Sequence, residues 1–145
     1  MKKKIDFHYN QTGVKSALGY VRIGNSILEF DCTYLFSNPF EDLFMAISQL
    51  VPSIVPFPRN QITFMMYSEP FEYRWEFQKI NAENIRLKIF FKEYEPTFAL
   101  VFAEVCELKS LVTAILQQIH TNPQLLANQK MRSLYDELIQ FCKVK

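Results

Sequence analysis

The sequence is poor in the residues from which active sites and metal sites are commonly built. Its 145 residues include only three glycines, two histidines and three cysteines. No glycine belongs to a phosphate-cradling pattern, and there is no Gly-x-Ser-x-Gly nucleophile motif. His8 and His120 are too far apart in the sequence to form a local metal cluster. We interpret His8 as a residue on a strand face and His120 as a residue at a helix end, neither with a catalytic role. We therefore expect no catalytic residue, no metal ion and no cofactor.

The cysteines argue against a disulfide-bonded protein, and the net charge argues against a nucleic-acid-binding one. Cys32, Cys106 and Cys142 are odd in number and widely separated, without a Cys-x-x-Cys pair, which favours reduced thiols and a cytoplasmic location. The formal net charge is only +1, with a Lys run at residues 2–4, so a nucleic-acid partner is not favoured.

The sequence predicts neither a membrane-spanning segment nor a secretory signal. The longest apolar run, residues 98–103, is stopped by Glu104 and is too short to cross a bilayer. The N-terminal lysines are followed by the alternating stretch 5–9 instead of an apolar leader, so a secretory signal is not predicted. Aromatic residues make up 15% and charged residues 21% of the chain, which predicts one globular domain over residues 1–145.

The clearest element is a predicted β-hairpin from Pro70 to Tyr94. Apolar and polar residues alternate along both of its halves, the pattern of half-buried strands. The register that we predict avoids like-charge pairs, and it sets Gln78 against Arg86, Glu76 against Lys88 and Glu72 against Lys92. One face carries Phe71, Tyr73, Trp75 and Phe77 and is assigned to the core, so Trp75 is assigned to stability and not to a functional site.

A second hairpin is predicted across Gly24-Asn25, since glycine supplies the positive φ that a two-residue turn needs. The predicted register pairs Ile23 with Ser26 and Gly19 with Phe30, so that Gly19 leaves room for the ring.

A helix is predicted to begin after Asn38, with Asn38 as N-cap and Pro39 in the first turn. Residues 97–105 are apolar on both faces, which predicts a central strand. Two helices follow, separated by Asn122-Pro123. The order predicts an α+β fold, with a largely antiparallel sheet of six to seven strands (three strands, a helix, four strands) and two C-terminal helices, in two layers.

Paired carboxylates occur at Glu41/Asp42, Glu93/Glu95 and Glu104/Glu107, where helix starts and solvated strand ends explain them without catalysis. Asp31 lies on a strand face near apolar residues, and a turn contact or a salt bridge to Arg22 is the favoured interpretation.

Phe90 lies on the polar face of the first hairpin, beside Arg74. An aromatic ring next to an arginine on a charged strand face is typical of a protein-contact patch, so Arg74 and Phe90 are predicted contact residues. The alternative is that the C-terminal helices cover this face.

The order of these motifs resembles that of small bacterial immunity proteins of polymorphic-toxin and contact-dependent growth-inhibition systems. In that family a short strand leads through a polar-Pro or Asp step into a DLL-A-L helix, and a Glu-Pro pair later precedes an aromatic strand with a Trp. The segments that carry the resemblance are FDCTYLFSNPFEDLFMAISQL, SEPFEYRWEFQKI and IRLKIFF. The matching residues are Tyr34, Leu35, Pro39, Asp42, Leu43, Ala46, Leu50, Glu69, Pro70, Tyr73 and Trp75.

The resemblance implies a cytoplasmic, non-catalytic protein that binds one cognate toxin domain, often a nuclease, and blocks its active site or substrate groove. Immunity proteins of this kind commonly present acidic residues, so for a basic toxin Glu93, Glu95, Glu104 and Glu107 are the candidate contacts. The alternative is a non-catalytic interaction or regulatory subunit, with a homodimer formed through an exposed strand or Phe90. An enzyme is the least favoured function.

Overall fold

In the computed structural model, which describes residues 3–34, 37–94 and 96–143, the chain begins with a three-stranded antiparallel sheet. Its strands are β1 (Ile5–Gly13), β2 (Ser16–Ile23) and β3 (Ser26–Thr33), and we call it the N-terminal sheet. The predicted hairpin register is confirmed, because Ile23 pairs with Ser26 and Gly19 with Phe30. Gly24 has a φ of +64°, as the two-residue turn requires.

Helix α1 (Pro39–Ser48) starts where the capping residues predict. The side chain of Asn38 accepts hydrogen bonds from the backbone N–H groups of Phe40 and Glu41. Phe40, Leu43, Phe44 and Ile47 form a buried apolar stripe on this helix, and Leu50 and Val51, just after its end, are buried as well.

Four strands then form a second antiparallel sheet, which we call the C-terminal sheet. They are β4 (Gln61–Ser68), β5 (Phe71–Lys79), β6 (Asn84–Lys92) and β7 (Ala99–Glu107), in that spatial order. The predicted register of β5 and β6 is confirmed in every charged pair, including Glu76 opposite Lys88 and Glu72 opposite Lys92. Lys92 Nζ lies 2.8 Å from Glu72 Oε2, so this cross-strand pair is an ion pair.

Two features of the predicted sheet are wrong. The seven strands form two antiparallel sheets instead of one, and β7 is an edge strand, not a central one. The apolar character of β7 on both faces therefore does not reflect burial on both faces, since Leu100 is 53% exposed and Val101 is 41% exposed. The α+β class and the order of three strands, helix, four strands and two helices are confirmed.

The C-terminal helices are α2 (Leu108–Thr121) and α3 (Gln129–Lys143), joined through a short 3₁₀ turn (Pro123–Leu125). Helix α2 packs along β1, the edge of the N-terminal sheet, where Gln118 Oε1 accepts a hydrogen bond from the backbone N–H of Tyr9. Helix α3 packs on α2 and α1. The helices therefore shield one edge of the N-terminal sheet and leave its outer face open.

The two sheets meet where β3 crosses the inner face of the C-terminal sheet. At the start of β3, Ser26 Oγ donates a hydrogen bond of 2.7 Å to Glu104 Oε1 on β7. Midway along β3, the ring of Phe30 meets the ring of Trp75 edge-on, with 5.4 Å between centroids. At its end, β3 donates a side-chain hydrogen bond to the backbone of β4. Trp75 is 1% exposed, so its predicted place in the core is confirmed.

Candidate protein-binding surface

The predicted pairing of Arg74 with Phe90 is present on the outer face of the C-terminal sheet. The guanidinium carbon of Arg74 lies 4.5 Å from the ring centroid of Phe90 and 4.8 Å from that of Phe98. Both distances are within the range of cation–π interactions, so the guanidinium contacts both rings. Arg74 also forms an ion pair of 3.1 Å with Glu76.

The C-terminal helices do not cover this face, since α2 packs on β1 and α3 on α1 and α2. The Arg74 side chain is 34% exposed, and that of Lys92 is 30% exposed. Both cations already have carboxylate partners, Glu76 and Glu72. The face is thus open, but its strongest charges are neutralised within the chain.

The glutamates suggested as toxin contacts lie in different places. Glu93 is exposed in the turn after β6, and Glu95 lies outside the described residues. Glu104 accepts hydrogen bonds from Lys3 and Ser26, which lower the pKa of its carboxyl below the usual range. Glu107 precedes α2 and accepts a hydrogen bond of 2.8 Å from Ser110. The fold does not gather them into one acidic surface, and their role as contacts stays a prediction.

A different open surface lies on the outer face of the N-terminal sheet. The register brings Leu18 opposite Asp31 and Tyr20 opposite Glu29, all pointing away from the core. Leu18 is 54% exposed, and Ile27 on the same face is 47% exposed. Large apolar residues exposed on one face mark protein-contact surfaces, and charges beside them add selectivity for a complementary partner.

Asp31 does not form the predicted salt bridge. Arg22 instead points to Asp6 on the neighbouring strand, with 3.8 Å between Nη1 and Oδ2, because Asp6 is its direct cross-strand partner. Asp31 pairs with Leu18, which offers no charge. In the part of the chain that the structure describes, neither Glu29 nor Asp31 has a cationic partner.

This face contains a depression of about 460 Å³ beside Gly19, which we call the Gly19 depression. Its lining residues are His8, Asn10, Leu18, Gly19, Tyr20, Glu29, Phe30, Asp31 and Tyr73. The rings of His8 and Tyr20 stack at 5.5 Å between centroids and form part of this lining.

Tyr73 is the one lining residue that comes from the C-terminal sheet, on β5. It is 9% exposed, and its hydroxyl has no hydrogen-bond partner among residues 3–34, 37–94 and 96–143. Burial and the nearby Asp31 carboxylate raise the pKa of its phenol, so the hydroxyl stays protonated at neutral pH. The depression therefore combines two unpaired carboxylates with a neutral hydroxyl.

Sequence reasoning missed this surface, although one signal was present. The hairpin register placed Leu18 and Ile27 on the same side as Glu29 and Asp31, so two large apolar residues stood on a polar face. The contribution of Tyr73 had no such signal, because it depends on how the two sheets pack.

In the interior, burial raises the pKa values of a small set of phenols and thiols, which favours their neutral forms. The hydroxyls of Tyr9 and Tyr34 lie 3.0 Å apart, and Cys32 Sγ lies 3.8 Å from the Tyr9 hydroxyl. Burial raises the pKa of the Cys32 thiol to about 11 and that of Cys106 to about 12. Thiols held protonated in this way are poor nucleophiles.

No group of three or more His, Cys, Asp or Glu side chains with the arrangement of a metal site occurs among the described residues. Within the same ranges, none of the helices has the length and apolar character to cross a membrane. Searches against known protein families, curated proteins and solved structures found no match to this chain.

Proposed function

We propose that this protein is a non-catalytic binding protein that recognises a cognate bacterial toxin domain and neutralises it in the cytoplasm, as the immunity proteins it resembles do. The observation that carries the proposal is the open outer face of the N-terminal sheet. It presents Leu18 and Ile27 to solvent beside Glu29 and Asp31, two carboxylates without a cationic partner in the described chain. Such a face gains both apolar burial and charge pairing when a complementary protein docks.

The charge of this face favours a basic partner. Asp6 and Arg22 neutralise each other, which leaves Glu29 and Asp31 to attract positive charge. Carboxylates on the rim of an interface mainly speed association and exclude wrong partners. A nuclease domain, whose substrate groove must be positive to bind phosphates, has the matching surface.

The first test is the gene context, where the proposal predicts a large secreted protein with a variable C-terminal domain encoded immediately upstream. The second test is co-expression with that C-terminal domain. Survival of the host and co-purification of the two chains are the expected results. A purified complex would then lose affinity as salt rises, because the attraction between exposed charges is screened. Loss of both protection and complex formation would overturn the proposal.

A second candidate function, a homodimeric interaction or regulatory subunit, is favoured by the edge of β7. Residues 99–103 carry no charge, and Leu100 and Val101 are exposed at this edge. An exposed uncharged edge strand is a template for pairing with another strand. Analytical sedimentation, which measures the oligomeric state, tests this candidate by comparing Leu100→Lys with Leu18→Lys. The second variant is the control, because it changes an equally exposed leucine that lies outside β7. Loss of a dimer in Leu100→Lys alone would support pairing through β7, and a monomeric parent protein would exclude it.

A further inference from the structure

The Gly19 depression has room for a side chain of a partner protein. It opens on the outer face of the N-terminal sheet, beside the backbone of Gly19. The stacked rings of His8 and Tyr20 contribute to one part of its lining, and Glu29 and Asp31 contribute to another. Its volume of about 460 Å³ is ample for one long side chain of a partner protein.

The polar groups of the depression define the chemistry of that side chain. Glu29 and Asp31 are two residues apart on β3, so their carboxylates project from the same face of the strand. Ionised carboxylates are acceptors only, and neither has a cation in the described chain. The complementary group is a cation with several donors.

Tyr73 adds a hydroxyl to this lining. The residue is 9% exposed and lines the depression. Its hydroxyl has no hydrogen-bond partner in the described ranges and is not among the fully buried polar atoms there, so it is open to solvent. A donor entering the depression can hydrogen-bond to this oxygen.

We infer that the Gly19 depression binds an arginine side chain presented by a basic protein partner. A guanidinium offers five N–H donors in a plane, which suits two carboxylates and a hydroxyl together. It also stacks on aromatic rings and is more weakly hydrated than the ammonium of lysine. The His8–Tyr20 pair supplies such rings, so arginine is favoured over lysine. Only the identity of the partner as a toxin rests on the proposed function.

The direct test uses the full chain and small probes, without a toxin. N-acetyl-arginine amide is titrated into the ¹⁵N-labelled protein, and chemical shifts are followed by NMR. We expect saturable shifts at the amides of residues 18–20 and 29–31. N-acetyl-citrulline amide, which has the same shape without the charge, should give none. Equal shifts with N-acetyl-lysine amide would overturn the assignment to arginine, and absence of arginine-dependent shifts would overturn the site.

Variants localise the binding. Asp31→Asn removes one charge at nearly constant volume and should weaken the arginine probe about tenfold, the effect of losing a hydrogen bond to a charged group. Tyr73→Phe removes only the hydroxyl and should weaken binding as well. Asp136→Asn, which neutralises an exposed carboxylate on α3, is the matched control and should leave binding unchanged. Unchanged probe affinity in Asp31→Asn would contradict the inference.

The inference and the proposed function fail separately. If the arginine probe binds in this depression and no toxin partner is neutralised, the site stands and the toxin function falls. If a toxin is neutralised equally well by the parent protein and by Asp31→Asn, the function stands and the arginine site falls.

Discussion

The ring of Phe30 occupies the space that a side chain on Gly19 would need. A Cβ atom at position 19 would lie 2.7 Å from Cζ of Phe30 and 2.4 Å from the carbonyl oxygen of His8. The ring can move only at the expense of its contact with Trp75, and the carbonyl oxygen belongs to the backbone of β1. We expect Gly19→Ala to lower the free energy of unfolding by about 1–3 kcal/mol, the range for overpacking, as measured by urea denaturation.

Gly13→Ala is the control for this substitution. Its new Cβ would lie 2.9 Å from Ser16 Oγ, which is the end of a side chain that can rotate away. We expect a smaller loss of stability than for Gly19→Ala. An equal loss in the two variants would contradict the role assigned to the Gly19–Phe30 contact.

Both hairpin registers were predictable because they depend on local information. The turn at Gly24-Asn25 is compatible with one register of β2 and β3, and charge pairing favours one register of β5 and β6. The structure contains both predicted registers. The place of β7 was not predictable in this way. Apolar residues on both faces are typical of a central strand, and only the packing of one sheet across the other determines which strand is left at an edge.

The candidate surface was predictable only in part. The pairing of Arg74 with Phe90 followed from the register, and the Arg74 guanidinium contacts the rings of both Phe90 and Phe98. Phe98 precedes β7 in the chain, so its arrival at Arg74 depends on tertiary structure. The same holds for the Gly19 depression, where Tyr73 reaches Asp31 only because β3 crosses β5.

Trp75 has a buried indole N–H without a hydrogen-bond partner in the described part of the chain. Trp75→Ala should cost about 3–5 kcal/mol, since it leaves a large cavity. Trp75→Phe should cost less than about 1.5 kcal/mol, because removing the unpaired N–H recovers about 1–3 kcal/mol and offsets part of the lost packing. Urea denaturation followed by circular dichroism measures both values.

Phe77→Leu is the comparison for Trp75→Phe. It also removes ring volume from a fully buried site on β5, and it removes no unpaired polar group. We expect it to be at least as destabilising as Trp75→Phe. A clearly larger loss in Trp75→Phe would show that the indole N–H is satisfied.

Alkaline pH should destabilise the fold through its buried thiols and phenol. Burial raises the pKa of Cys32 to about 11, above the ordinary thiol value of about 8.5, and it also raises the pKa of Tyr9. The unfolded chain therefore loses its protons first, so the stabilisation is complete below about pH 8.5 and is lost as pH rises through about 11. Urea denaturation across this interval should show a falling free energy of unfolding, with a shallower fall in Cys32→Ala. An identical slope in the variant would contradict this assignment.

Phe90 and Ile89 are neighbours in β6 that point to opposite faces of the C-terminal sheet. Ile89 is completely buried, whereas Phe90 is half-buried beneath the Arg74 guanidinium. Phe90→Glu places a carboxylate opposite Arg74, and such a cross-strand pair contributes about 0.2–1 kcal/mol. We therefore expect the melting temperature to stay close to that of the parent protein. Ile89→Glu buries a charge without a partner and should leave the chain unfolded.

Thermal denaturation by circular dichroism compares the two variants, and partner binding gives a further readout. As predicted contact residues, Arg74 and Phe90 should matter less than Asp31, because the charge of Arg74 is already paired with Glu76. Phe90→Glu should thus weaken partner binding, but by a smaller factor than Asp31→Asn. A large drop in melting temperature for Phe90→Glu would mean that its ring belongs to the core. Stronger loss of binding in Phe90→Glu than in Asp31→Asn would move the contact surface to the C-terminal sheet.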